Sequence, residues 1–190
     1  MPRLYPFNIQ LSFLNSKSTS EFGQLNWIGS GFRKTCGDFR VGRYEPRDTV
    51  NIFSHRVRWE KGPRGAIRIL PQKGDVWAIY SNWSPDWSEL TPDEVLYKYD
   101  MVEVKVHGFK AVFRRRLCQD SIRRIPREEM FCLSHQVPYH LLTGREAEDA
   151  PKGCYELDPA AIPLDLFLPS SEAAAETVKT VKPQEQASVT

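Results

Sequence analysis

Lys73-Gly74-Asp75-Val76-Trp77-Ala78-Ile79-Tyr80-Ser81-Asn82-Trp83-Ser84-Pro85-Asp86-Trp87 decides the fold, and three of the chain's five tryptophans fall within it. Pro71, Lys73 and Gly74 form a turn. Val76 to Tyr80 is then an unbroken apolar run rich in strand-favouring residues. Apolar residues on both faces predict a central strand. Ser81, Asn82, Ser84, Pro85 and Asp86 are turn formers, which leaves Trp83 and Trp87 on a loop that either packs onto the domain or meets a partner.

The flanking sequence supplies further strands. Phe7, Ile9, Leu11 and Phe13 alternate with polar residues, the period of a half-buried strand. Glu21 to Phe39 reads as irregular and pinned by aromatic rings, and Glu45 to Asp48 as a turn. His55, Val57 and Trp59 then share one face of a predicted strand with Arg56, Arg58 and Glu60 on the other. Lys61 to Gly65 turns that strand into Ala66 to Leu70, a hairpin leading into the tryptophan strand. Thr91-Pro92-Asp93-Glu94 starts a helix that must be short, because Val102, Val104 and Val106 resume alternation from Asp100. Phe109 to Phe113 predicts another strand, and Pro126, Glu128 and Glu129 a helical turn. Phe53-Ser54-His55-Arg56-Val57 recurs as Leu133-Ser134-His135-Gln136-Val137, too short an echo to define a repeat fold. The expected fold is mainly β, a partly open, small barrel-like antiparallel sheet with short helices over residues 1–168. The apolar-poor residues 169–190 are read as a disordered tail.

Composition narrows the class. The 190 residues are 41% hydrophobic and 12% aromatic, enough for one sizeable core. No run reaches the roughly 20 apolar residues of a membrane helix, and the amino terminus lacks the pattern of a secretory signal. Four scattered cysteines without CxxC spacing suit free thiols in a reducing compartment. An intracellular protein with no membrane partner is expected. The net charge of +2 requires any attraction to nucleic acid to be local.

Candidate chemistry is sparse. In Ser54-His55 and Ser134-His135, adjacent strand residues point to opposite faces, so neither dipeptide is expected to form a nucleophile–base pair. Cys132 and His135 have a metal-ligand gap, but no second pair completes four ligands. No metal or cofactor is expected. Arg114, Arg115, Arg116, Arg123, Arg124 and Arg127 form a basic cluster that either binds phosphates or faces solvent, balanced by Asp120, Glu128 and Glu129. Tyr80, Trp83 and Trp87 are the rings that can converge as an aromatic cage for a methylated lysine. Trp77 lies on the opposite side of the strand from Tyr80 and reads as core.

Many short motifs carry a family resemblance in order: Leu25-Asn26-Trp27, Lys34-Thr35-Cys36-Gly37-Asp38-Phe39, Phe53-Ser54-His55, Lys73 to Tyr80, Asn82-Trp83, Lys98 to Val104, Phe131 to Pro138, Leu142-Thr143-Gly144 and Glu156 to Ala160. Together they resemble the domain of unknown function that lies carboxy-terminal to a J domain in plant DnaJ heat-shock amino-terminal domain-containing proteins. Against that pattern the chain looks truncated at its amino terminus and shortened near 104–107, which implies unpaired strand edges. The His-Pro-Asp tripeptide of a J domain is absent from the sequence, so stimulation of an Hsp70 partner is not expected. The resemblance implies a non-enzymatic protein-interaction module, chaperone-linked or chromatin-associated and nuclear. Its Gly-Asp-Val-Trp-Ala-x-Tyr strand is also similar to that of chromatin-binding modules. The rival expectations are a methyl-lysine reader using Tyr80, Trp83 and Trp87, a nucleic-acid binder using Arg114, Arg115 and Arg116, and a hydrolase.

Overall fold

The computed structural model describes residues 7–16, 27–105, 112–115 and 122–162, with only the backbone of 112–115. The expected tail, Arg116, residues 106–107 of the stretch expected to be shortened and residues 109–111 of the strand expected over Phe109 to Phe113 lie outside the described residues. The tryptophan strand, β5 (Val76–Tyr80), is central as its two apolar faces require, and four of its five residues are buried. The other strands in chain order are β1 (Ile9–Asn15), β2 (Gly37–Arg47), β3 (Glu60–Lys61), β4 (Ile67–Ile69), β6 (Tyr99–Val104), β7 (Val112–Arg115), β8 (Ile122–Arg124), β9 (Leu133–Val137), β10 (Tyr139–Leu141) and β11 (Tyr155–Leu157).

β5 lies between β6 and β9 in a five-stranded antiparallel sheet of order β8-β7-β6-β5-β9. A second sheet has the order β1-β2-β4-β3, and β10 pairs with β11 as a separate ladder. The fold is thus β-rich and antiparallel, as expected, with open rather than closed sheets. Trp77 and Ile79 project from β5 into the main core with Trp27, Phe39, Ile69, Met130 and Phe131. Val76 and Ala78 project the other way, against Met101, Val137, Ala161 and the half-buried Tyr139 and Leu157. One short strand therefore joins the β2–β4 layer to the β10–β11 layer.

Three local expectations change. β2 extends through Arg47, where turn residues had suggested a break, because its antiparallel partner β1 holds it from Ile9 opposite Arg47 to Asn15 opposite Arg40. The strand expected over 55–60 is absent except for Glu60–Lys61. Instead, the Arg58 backbone N–H donates to the Gln136 side-chain oxygen at 2.5 Å, so side chains replace a backbone ladder beside β9. Helix α1 (Asp93–Leu96) begins after Pro92 without a side-chain cap, and Thr91 instead accepts from the Ser88 N–H at 3.0 Å.

Trp77 is fully buried on the strand that joins both layers. Trp77→Ala is expected to lower stability by about 3–5 kcal/mol, the usual range for removing a large core aromatic, measured as a lower midpoint in urea unfolding.

Candidate functional site

The end of β5 and the loop after it bring Tyr80, Trp83 and Trp87 together, but around a ring that was not anticipated. Trp27 lies 6.5, 6.4 and 6.3 Å from their ring centroids. It also stacks on Phe32 at 4.4 Å and Phe131 at 5.3 Å, and its indole N–H donates to the Arg33 carbonyl at 3.0 Å. An aromatic cage needs a void among its rings, yet the common neighbour of these three is an indole only 2% exposed. Trp27 was hidden in the sequence by the irregular, glycine-punctuated stretch around it. The Leu25-Asn26-Trp27 motif was the available signal.

Polar groups gather at β9. β9 carries a bulge: Ala78 faces His135 and Ile79 faces Leu133, leaving Ser134 without an opposite residue. That irregularity overturns the expectation from strict alternation, because the Ser134 Oγ and His135 Nδ1 lie 2.9 Å apart. The same pair recurs as Ser54 Oγ and His55 Nδ1 at 3.1 Å, and the two imidazole centroids are 6.0 Å apart. His135 Nε2 lies 2.7 Å from the Ala161 carbonyl oxygen, which can only accept. Nε2 therefore carries the proton, and Nδ1 accepts from the Ser134 hydroxyl.

Both nitrogens of His135 are thus engaged, tying β9 to the 159–161 turn. Ser134 is buried and also interacts with the hydroxyls of Tyr80 and Tyr99. Burial raises the pKa of both phenols. Ser54, His55, Tyr97, Tyr99, His135 and Ile162 line a cleft of about 480 Å³ over this cluster. His55 presents the less committed imidazole there, with a buried Nε2 that has no hydrogen-bond partner.

Across β9 lies a second cleft, of about 370 Å³, bounded by Arg56, Arg58, Asp75, Gln136 and Tyr139. Between the two clefts runs the 54–59 segment. Val50, Ile52, Phe53, Val57 and Trp59 are all exposed in and beside it, Phe53 by 57% and Trp59 by 58%.

The sheet places four of the clustered arginines on two neighbouring antiparallel strands. Arg114 and Arg115 lie on β7 opposite Glu103 and Val102 of β6. Arg123 and Arg124 lie on β8 opposite Phe113 and Val112. Arg123 is paired with Glu129 at 3.6 Å. Burial drives the Cys132 thiol up to about 12, and no group of three metal-ligating side chains forms among the described residues.

A family model described as a domain of unknown function, DUF3444, matches residues 3–146. The chain belongs to this family. Neither a curated protein nor a solved structure matches it. In this DUF3444 domain the match spans the tryptophan strand, both Ser–His pairs and the exposed 50–59 stretch.

Desolvation, with a smaller contribution from nearby His55, holds the His135 pKa below its ordinary value of 6.5, although the Ala161 carbonyl opposes the shift. A depressed folded-state pKa gives stability that is complete above about pH 6.5 and lost as pH falls through the lowered value. The thermal midpoint should therefore drop as pH falls below about 6.5, and His135→Gln should flatten that decline. An equally steep decline in the variant would place its origin elsewhere.

Proposed function

We propose that this domain is a non-enzymatic protein-interaction module of the plant J-protein, or DnaJ-like, family, acting in the nucleus on a chromatin-associated or chaperone-linked protein. The observation that carries the reading is the exposed apolar stretch Val50, Ile52, Phe53, Val57 and Trp59. Several exposed apolar side chains close together in sequence suit a protein-docking face, and aromatics that become buried at such faces carry most of the binding energy. Arg56 and Arg58 interrupt the stretch, favouring a partner that combines apolar with acidic side chains.

The burial of Ser134 is compatible with the same reading, since the serine whose hydroxyl His135 accepts from is only 7% exposed and has little access to a substrate. The family motifs add the link to J proteins. The methyl-lysine alternative is weaker, since Trp27 packs against each of the three rings it would use.

The test is tryptophan fluorescence titration with unmodified and methylated histone-tail peptides and with acidic, apolar-containing control peptides. Saturable binding by an acidic-apolar peptide is expected, weakened about tenfold or more in a Phe53→Ser, Trp59→Ser double variant. Unchanged affinity in that variant would remove this face from recognition. Binding that requires methylation and is lost in Trp83→Ala would restore the cage.

A further inference from the structure

Arg40, Arg43 and Arg64, from two different parts of the four-stranded sheet, line one depression of about 510 Å³ with Asn15, Val41, Gly42 and Gly65. Strict alternation would place residues 40 and 43 on opposite faces of a strand. β2 breaks that rule. Ser12 pairs with Tyr44 and Leu14 with Val41, so the single residue Phe13 faces both Gly42 and Arg43. The extra residue turns Arg43 to the side of Arg40, the re-aiming that a bulge performs next to functional sites. Glycine is required there: a Cβ at Gly42 would come within 2.6 Å of the Phe13 carbonyl oxygen.

Arg64 reaches the same depression from the turn between β3 and β4. Its backbone is left-handed, φ 54° and ψ 33°, the only positive φ of a non-glycine among the described residues. That conformation costs an ordinary side chain about 1 kcal/mol or more. Among the described residues, none of the three guanidinium groups forms an ion pair, and no carboxylate lines the depression. All three side chains are solvent-exposed, so their charge is open to an anion arriving from solvent.

We propose that this depression is an anion-binding site for a phosphate monoester. A carboxylate has two oxygens and is matched by one guanidinium fork. A phosphate monoester carries close to two negative charges at pH 7 and three acceptor oxygens, enough to engage several guanidinium groups at once. A nucleic-acid backbone offers a line of singly charged diesters, which calls for a track of cations rather than one group of three. The site is separate from the 50–59 face and does not depend on its role.

Calorimetric titration of the full chain tests the proposal with inorganic phosphate, a phosphoserine peptide, its unphosphorylated form, a sugar phosphate and a single-stranded oligonucleotide. Inorganic phosphate is expected to bind and to raise the thermal midpoint, with affinity falling as ionic strength rises. Arg43→Ala and Arg64→Gly should each weaken binding about tenfold or more. Arg64→Gly relieves the left-handed strain and Arg43→Ala removes only an exposed side chain, so neither variant should lose thermal stability without ligand; weak binding cannot then be blamed on unfolding. Preference for the phosphopeptide over the sugar phosphate identifies a modified protein as the source, and the reverse a small metabolite. Unchanged phosphate affinity in both variants overturns the proposal, as does tighter binding of the oligonucleotide than of any monoester.

Discussion

The Asp75 carboxylate ties the molecule together. It is 2% exposed and accepts from the Gln72 N–H at 2.9 Å, Gln136 Nε2 at 3.0 Å and Arg58 Nη1 at 3.0 Å. Its own carbonyl accepts from the Val104 N–H, and the Gly74 N–H donates to the Val104 carbonyl, both at 2.8 Å. The turn before β5, the end of β6, the side chain of β9 and the 54–59 segment thus meet at one residue. A buried carboxylate is tolerable only when paired and hydrogen-bonded. Arg58 provides the charge while keeping 63% of its side chain in solvent, which lowers the desolvation cost of the pair.

That arrangement explains why the 54–59 segment is no strand although its sequence alternates. The Arg58 N–H is taken by the Gln136 side chain, and the Gln136 amide is taken by Asp75. The segment is held beside β9 at a few side-chain points, so nothing pulls Val57 and Trp59 into a core. Their exposure follows from how the edge is fastened. The echo between 53–57 and 133–137 acquires a physical meaning here, since the two histidine rings face each other across the cleft.

The elements legible in the sequence were those whose burial repeats with a fixed period. β5 was readable because both faces are apolar, β6 because alternation held, and α1 because Pro92 marks a helix start and the next strand follows at once; β1 is a strand, but Phe7 and Phe13, placed by alternation on a half-buried face, are 51% and 55% exposed. The sites were less legible because each depends on a departure from period. One extra residue at Ser134 brings a serine to its neighbouring histidine, and one at Gly42 brings Arg43 to the side of Arg40. A bulge depends on pairing between distant segments, so a single strand's sequence does not display it. Convergence of Tyr80, Trp83 and Trp87 was readable from their spacing. Their common neighbour Trp27 was not, being some fifty residues earlier in an irregular stretch.

The electrostatics separate arginines that hold the fold from arginines that do not. Arg68 reaches Asp38 through two hydrogen bonds, 2.7 and 2.9 Å, and its guanidinium keeps the Asp38 pKa below the usual range. Arg58 has Asp75, Arg47 has Glu45 at 2.7 Å and Arg123 has Glu129. All but the Arg47–Glu45 pair, which lies within β2, join separate segments of the chain. Among the described residues Arg40, Arg43 and Arg64 form no ion pair, yet a bulge, an obligatory glycine and a strained turn residue are all present where they meet. Local strain persists only where the surroundings fix it. Here β1 fixes the bulge through the strand pairing on both sides of it, and β4 anchors the turn through Gly62 N–H to the Ala66 carbonyl at 2.7 Å. The strain at Arg64 is thus fixed at a place where three exposed arginines line one depression, and burial of the Arg64 side chain does not explain it.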